Sequence, residues 1–253
     1  EIFEKNFDLS WDEPLLYTAE LIEKLKYIEK NRVQGDLFYV ALTPVGNIRL
    51  QNERTYEENW ENRDLRLLTL FRYWNIVEYF FPYKYQMDQD WDETLLEMIP
   101  KFSNPSSEQE YHLAMLEMVV KIDDSHAGLM STKIDEFFGK MFIPARFNII
   151  DGNAVIHSFY NDSIAVKDGW KIGDVITEVE GKPVLQRFKE MGKYLNGSNL
   201  PTKMRNGYHA IFNGNTDHVN ITLLRNGEIQ EKTMPRYKFS TFNYTGPDNK
   251  EKW

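Results

Sequence analysis

Apolar positions recur at helical spacing through the first half of this chain and gather into short strand-like runs through the second. Leu15, Ala19, Ile22, Leu25 and Ile28 fall three or four residues apart, which predicts an amphipathic helix over 11–31. Ser10-Trp11-Asp12-Glu13 before it has the form of a capping box, in which serine and glutamate each satisfy an orphan backbone donor. Leu37 to Leu42 and Ile48 to Leu50, separated by Thr43-Pro44-Val45-Gly46-Asn47, read as a hairpin with a longer loop. From Arg63 to Phe81 a wide stripe of Leu67, Leu70, Phe71, Trp74, Val77, Phe80 and Phe81 predicts a core-facing helix that Pro82 stops. A short helix follows from Asp90 or Asp92 to about Pro100. Ser107-Glu108-Gln109-Glu110 is a second capping box, opening a helix that runs to Ile122. His112, one turn after Glu108, is expected to form a surface ion pair. One more short helix is predicted from Ser131 to Phe138, closed by Gly139.

After Gly139 the period changes. Phe142 to Ile150 and Ala154 to Phe159 are strand-like and joined by Asp151-Gly152-Asn153, a strong hairpin signal. Glycines 169 and 173 bracket a tight turn, Val175 to Val179 alternate as a strand, and Gly181-Lys182 supplies the next turn. Helices are expected over Val184 to Leu195 and Pro201 to Phe212. Val219 to Leu224 and Ile229 to Met234 predict a last hairpin around Arg225-Asn226-Gly227, and Tyr237 to Trp253 reads as a polar linker. The expected fold class is therefore α+β: a mainly helical domain, then a β-rich domain with two helices.

Composition narrows the chemistry. With 253 residues and 42% hydrophobic content the chain can fill two cores. A net charge of -9 without any Lys/Arg run argues against a nucleic-acid surface. The absence of cysteine excludes disulfides, zinc-thiolate sites and a cysteine nucleophile. The most apolar run, Leu65 to Phe81, is interrupted by Arg66, Arg72, Asn75 and Glu78, so it reads as a core helix and no membrane span is expected. The chain opens on Glu1, which suggests that a leader or tag has been removed. Sequons occur at Asn161, Asn196, Asn220 and Asn243.

The stretch between the two halves, Lys121-Ile122-Asp123-Asp124-Ser125-His126-Ala127-Gly128-Leu129, holds the best catalytic candidate. The two aspartates end the helical pattern, so His126 falls on a helix exit or loop carried by a rigid scaffold. There it can act as a general base, with Ser125, Asp123 or Asp124 fixing its tautomer. An isolated Asp-Ser-His is more often a turn with a hydrogen-bonded surface histidine. His157, His209 and His218 show no ligand spacing, and neither a metal site nor a cofactor is expected.

The run Gly169-Trp170-Lys171-Ile172-Gly173-Asp174-Val175-Ile176-Thr177-Glu178-Val179-Glu180-Gly181-Lys182-Pro183-Val184 resembles the middle of a PDZ domain of the bacterial protease type. Trp170 stands in its usual leucine place and Glu180 in its asparagine place. Upstream, Trp74 through His126 resembles the helical domain of the tail-specific (C-terminal-processing) and tricorn-like serine peptidases, which place a short Asp-x-His motif before the PDZ domain. Asp124-Ser125-His126 occupies that place, and Ser125-His126-Ala127 is similar to the tricorn-like branch. The resemblance implies an N-terminal segment over 1–60, a helical domain over 61–139, a PDZ domain over 140–236 and a linker over 237–253. It implies His126 as general base and Ser125 as the hydroxyl that orients it, with the PDZ domain positioning a polypeptide substrate, possibly by its C-terminus, or gating access to it.

In that family the nucleophile and oxyanion hole come from an α/β domain after the PDZ domain. The expectation is thus of an N-terminal portion, inactive alone, of an exported periplasmic or cell-surface endopeptidase. A non-catalytic peptide- or ligand-binding adapter on the same scaffold is the alternative. Lys140, Phe142, Ile143 and Arg146 fall at the implied peptide-binding loop, which is poor in glycine and carries Pro144.

Overall fold

Short polar side chains start each helix of the first half. The computed structural model describes residues 17–31, 35–46, 48–57 and 59–243. Thr18 caps α1 (Ala19–Lys30) by accepting from the Leu21 amide. The capping box at Ser10 to Glu13, and Leu15 with it, lie outside the described residues. β1 (Val40–Leu42) and β2 (Ile48–Leu50) pair antiparallel as expected, Val40 opposite Leu50. Asn62 caps α2 (Arg63–Phe80) and Asp90 caps α3 (Trp91–Ser103). Ser107 caps α4 (Glu108–Val120) and Ser131 caps α5 (Thr132–Phe138). A cap of this kind contributes roughly 1 kcal/mol, since it satisfies amides that have no intrahelical partner. The return bond of the second capping box runs from the Ser106 amide to Glu110 at 2.8 Å, one residue earlier than the usual pattern.

The helical core is built from Leu70, Val77, Trp91, Met98, Phe102, Tyr111, Ala114 and Met118. Trp74 and Trp91 each donate an indole N–H to the other's carbonyl at 3.1 Å, so the buried Trp91 and the half-buried Trp74 leave no orphan donor. α3 does not end at Pro100 but continues to Ser103. The buried Arg66 explains this extension: its guanidinium donates to the carbonyls of Phe102 and Ser103, each at 2.7 Å, and also to that of Trp60. The last carbonyls of the helix are thereby satisfied, and Pro100 removes only its own donor.

The second half is built on an antiparallel sheet. Its elements are β3 (Met141–Phe142), β4 (Ala145–Ile150), β5 (Asn153–Phe159), α6 (Asp162–Lys167), β6 (Val175–Val179), β7 (Lys182–Pro183) and α7 (Val184–Met191). Then follow α8 (Leu200–Asn206), α9 (Tyr208–Phe212), β8 (His218–Arg225), β9 (Glu228–Pro235) and β10 (Tyr237–Lys238). The strand order is β4-β5-β6-β8-β9, with β7 beside β6. Asp151-Gly152, Glu180-Gly181 and Asn226-Gly227 all have positive φ at both positions, the conformation that two-residue hairpin loops demand. The protein is an α+β structure, as expected, but with more helix around the sheet. α6 was not legible, α7 ends at Met191 before a 3-10 turn, and Gly207 divides α8 from α9.

The Gly169–Asp174 turn owes its shape to one buried ion pair. Asp174 is 2% exposed and takes Arg225 through two bonds of 2.7 and 2.6 Å. It also accepts from the Lys171 amide at 2.9 Å, while Arg225 reaches the Gly169 carbonyl at 2.8 Å. Trp170 is buried beneath it in the sheet-side core with Ile156, Ile176, Phe212 and Leu223.

Residues 237–243 are not a linker. β10 pairs with β3, Phe242 is 1% exposed, and the Tyr237 hydroxyl donates to Asp168 at 2.9 Å. Burial, with the Asp168 carboxylate beside it, pushes the Tyr237 hydroxyl up to about 12. Tyr237, Phe239 and Phe242, packed against Phe142 and Tyr160, outweigh the polar composition that predicted an open tail.

Candidate functional site

α4 stops at Val120, and the chain turns sharply because Asp123 takes a positive φ of 51°. An aspartate tolerates that conformation better than most side chains. Its carboxylate explains why it is held there: Oδ1 accepts from Lys203 of α8 at 2.7 Å, and Oδ2 from the Asp88 amide at 2.9 Å. One residue thus ties the helix exit to the segment before α3 and to the sheet-rich half. A second tie runs from Asn196 Nδ2 to the Ser125 carbonyl at 2.8 Å. Asp124 then closes the loop on itself. Its Oδ1 accepts from the His126 amide at 2.7 Å and from His126 Nδ1 at 3.1 Å, and its carbonyl accepts from the Ala127 amide.

The His126 side chain is 95% exposed although its backbone is pinned. A carboxylate only accepts, so Nδ1 carries the proton in the neutral ring, and Nε2 is an acceptor with no partner among the described residues. That is the arrangement of a base with an orienting group, and it can take a proton from a nucleophile placed against Nε2. The partner that orients the ring is Asp124, not Ser125. Among the described residues Ser125 is held through its carbonyl, and its hydroxyl makes no hydrogen bond to the imidazole. The physical reason is local: the Asp124 carboxylate already receives the His126 amide, so the ring two residues on lies directly against it.

Lys140, Phe142, Ile143 and Arg146 divide between two adjoining cavities. Phe142, Ile143 and Arg146 line a cavity of about 170 Å³ between β4 and the α8–α9 pair, together with Tyr160, Arg205 and Tyr208. Ile143 is a core residue at 3% exposure, and the Phe142 ring packs edge-on against Phe239 at 5.4 Å. The Arg146 guanidinium lies over the Tyr160 ring at 4.7 Å. Lys140 is instead exposed, 3.9 Å from Glu136, and borders a second cavity of about 470 Å³ that includes Ala127 and Gly128. Phe142, Tyr208 and Asn213 belong to both cavities, which joins the His126 loop to the groove beside β4. Arg205 and Tyr208 carry no motif, and only the packing of α8 on β4 brings them in.

The backbone before β4 is already engaged. The Gly139 amide donates to Asp135 and the Met141 amide to Gly214, while Pro144 has no donor. Phe142 is paired with Tyr237. Gly139, at φ 94°, lies so close to Gly214 that a Cβ there would strike the neighbouring backbone.

The other histidines have structural surroundings. His112 does not pair with Glu108: its Nδ1 meets the Ser131 hydroxyl, and Glu108 pairs with Lys133 at 3.0 Å. The helix-capping serine is near enough to displace the expected one-turn ion pair. Burial lowers the pKa of His209, whose ring stacks edge-on against Phe138. His157 and His218 are exposed beside Ser158 and Asp217. Among the described residues no three His, Cys, Asp or Glu side chains gather in a metal-binding set. No described helix is long and apolar enough to cross a membrane.

No family model matches this chain, and no curated protein does. Among solved structures it is similar to a photosystem II D1 C-terminal processing protease, at 16% identity and a TM-score of 0.34. That match covers 68% of this chain and 44% of the protease, so the chain spans less than half of that enzyme's length.

Proposed function

We propose that this chain is the N-terminal portion of a tail-specific serine endopeptidase, with a helical domain over 61–139 and a PDZ domain over 140–236. In this reading His126 is the general base for a nucleophile carried by a segment outside this sequence. The observation that carries it is the Asp124–His126 pair: a carboxylate-held imidazole, fully offered to solvent, on a loop tied down by Lys203, Asn196 and the Asp88 amide. The residues on either side of Asp124, Asp123 and Ser125, are each bonded to another region of the molecule. The run Ser125-His126-Ala127 favours the tricorn-like, histidine-based chemistry over a serine-lysine dyad. The polypeptide substrate would lie along β4, and export to a periplasmic or cell-surface location goes with such an enzyme.

Two measurements test this. The chain alone, incubated with a fluorophosphonate serine probe, is expected to remain unlabelled, and stoichiometric labelling would contradict the reading. In the protein that includes the nucleophile, His126→Ala is expected to lower turnover about 10⁴- to 10⁶-fold while leaving the fold intact. Near-normal turnover in that variant would return His126 to a structural role. A second reading, a peptide-binding adapter without hydrolysis, is favoured by one feature: the edge of β4 and its groove are complete without any nucleophile.

A further inference from the structure

We propose that the groove between β4 and α8 selects acidic peptide segments, taking their side-chain carboxylates onto Arg146 and Arg205. This rests on reading the groove as the peptide-binding site. The chain has 39 acidic and 30 basic residues. Yet among the described residues the cavity in the groove is lined by Arg146 and Arg205 and by neither aspartate nor glutamate. A local excess of positive charge on a protein of net charge -9 is the reverse of what the average surface offers.

Geometry points the same way. Among the described residues β4 pairs with β5 alone, so its outer edge is open to an added strand. The register slips between Arg146 and Phe147, opposite Ser158 and Ile156, which leaves His157 as the extra residue of a bulge. A bulge re-aims side chains, and here His157 borders the cavity with Arg146. The Tyr160 ring supports the Arg146 guanidinium from beneath. Arg205 is exposed on α8 and forms no ion pair with the described residues. At about 170 Å³ the cavity is below the roughly 300–1,000 Å³ of small-molecule sites, which suits one anchored side chain of an extended peptide.

The chain-terminal carboxylate of a peptide is a poorer candidate for this charge. Capture of a terminus uses free backbone amides ahead of the strand. Here the Gly139 and Met141 amides are engaged within the protein, and Pro144 has none. Guanidinium groups on β4 and α8 reach side chains along an added strand instead.

Fluorescence anisotropy with the whole chain and labelled peptides of about ten residues tests this, using alternating Thr-Glu, Thr-Gln and Thr-Lys sequences with free or amidated ends. The Glu peptide is expected to bind about tenfold or more tighter than the Gln peptide, amidated or not, since charged hydrogen bonds are roughly twice as strong as neutral ones. Added salt should narrow the gap. Arg205→Gln should remove most of the preference for the Glu over the Gln peptide while leaving the circular dichroism unchanged, and Arg205→Lys should keep part of it. Equal binding of Glu and Gln peptides would overturn acidic selection while leaving a peptide groove in place. Binding abolished by amidation alone would assign the charge to the chain terminus and overturn the proposal. An Arg205→Gln variant with an unaltered preference would also overturn it, and failure of every peptide to bind would remove the groove reading itself.

Discussion

The Asp174 turn and the His126 loop are both anchored by an aspartate that meets a basic side chain from a distant element, yet they do opposite things with it. Asp174 and Arg225 are closed off from water, with a carboxylate 2% exposed and a guanidinium that also braces the Gly169 carbonyl. Both charged groups of that pair are spent on the turn itself. Asp123 and Lys203 are likewise poorly exposed, at 12% and 21% of their side chains, but three residues later His126 stands almost wholly in water. Rigid support beneath an exposed reactive ring marks the second as a candidate site. The same bond type over a buried tryptophan marks the first as architecture.

That contrast can be broken by mutation, most forcefully at the buried pair. Asp174→Ala strands Arg225 and is expected to cost about 3–5 kcal/mol, the usual penalty for removing one partner of a buried pair. Urea unfolding checks it; a loss under about 1 kcal/mol would mean the turn does not depend on the pair. Asp123→Ala should cost less, about 1–3 kcal/mol, because the bonds it loses are partly wet. Its distinguishing effect is local: amide exchange should rise at residues 121–128 while the sheet stays protected. Unchanged exchange there would show that the loop is held by something else.

A smaller effect comes with pH. Hydrogen bonds from Lys101 and Lys121 lower the Glu97 carboxyl to about 2. A depressed acid contributes stability above its unfolded pKa and loses it as pH falls through the folded value, so the loss should run between about 4.5 and 2. The side chain is 37% exposed, so screening limits the contribution to about 1 kcal/mol or less. Glu97→Gln should remove that part of the acid dependence in a denaturation series. The smallest change is expected from His126→Ala, within about 0.5 kcal/mol in stability, because the ring touches little besides Asp124.

The parts of this molecule that were legible in advance are those set by neighbours in sequence. Asp90, Ser107 and Ser131 announce their helices because a cap acts two or three residues away. Asp151-Gly152 announces its hairpin because both positions need positive φ. What could not be read joins residues far apart. Arg66 extends α3 past its proline from 36 residues upstream, and Phe242 docks what looked like a linker. The same holds in the site. His126 was visible as a histidine at a helix exit, with Asp124 among its possible partners. The Lys203 tie, 80 residues from Asp123, was not visible, and neither was Arg205 beside β4.

The central claim is that Asp124 holds His126 in one tautomer with Nε2 free. Nitrogen-15 NMR of the imidazole, at a pH where the ring is neutral, tests this directly. The account predicts that the proton sits on Nδ1 and that Asp124→Asn moves the ring toward the Nε2–H form of free histidine. A His126 ring already in the Nε2–H form in the unaltered protein, and indifferent to that substitution, would contradict it.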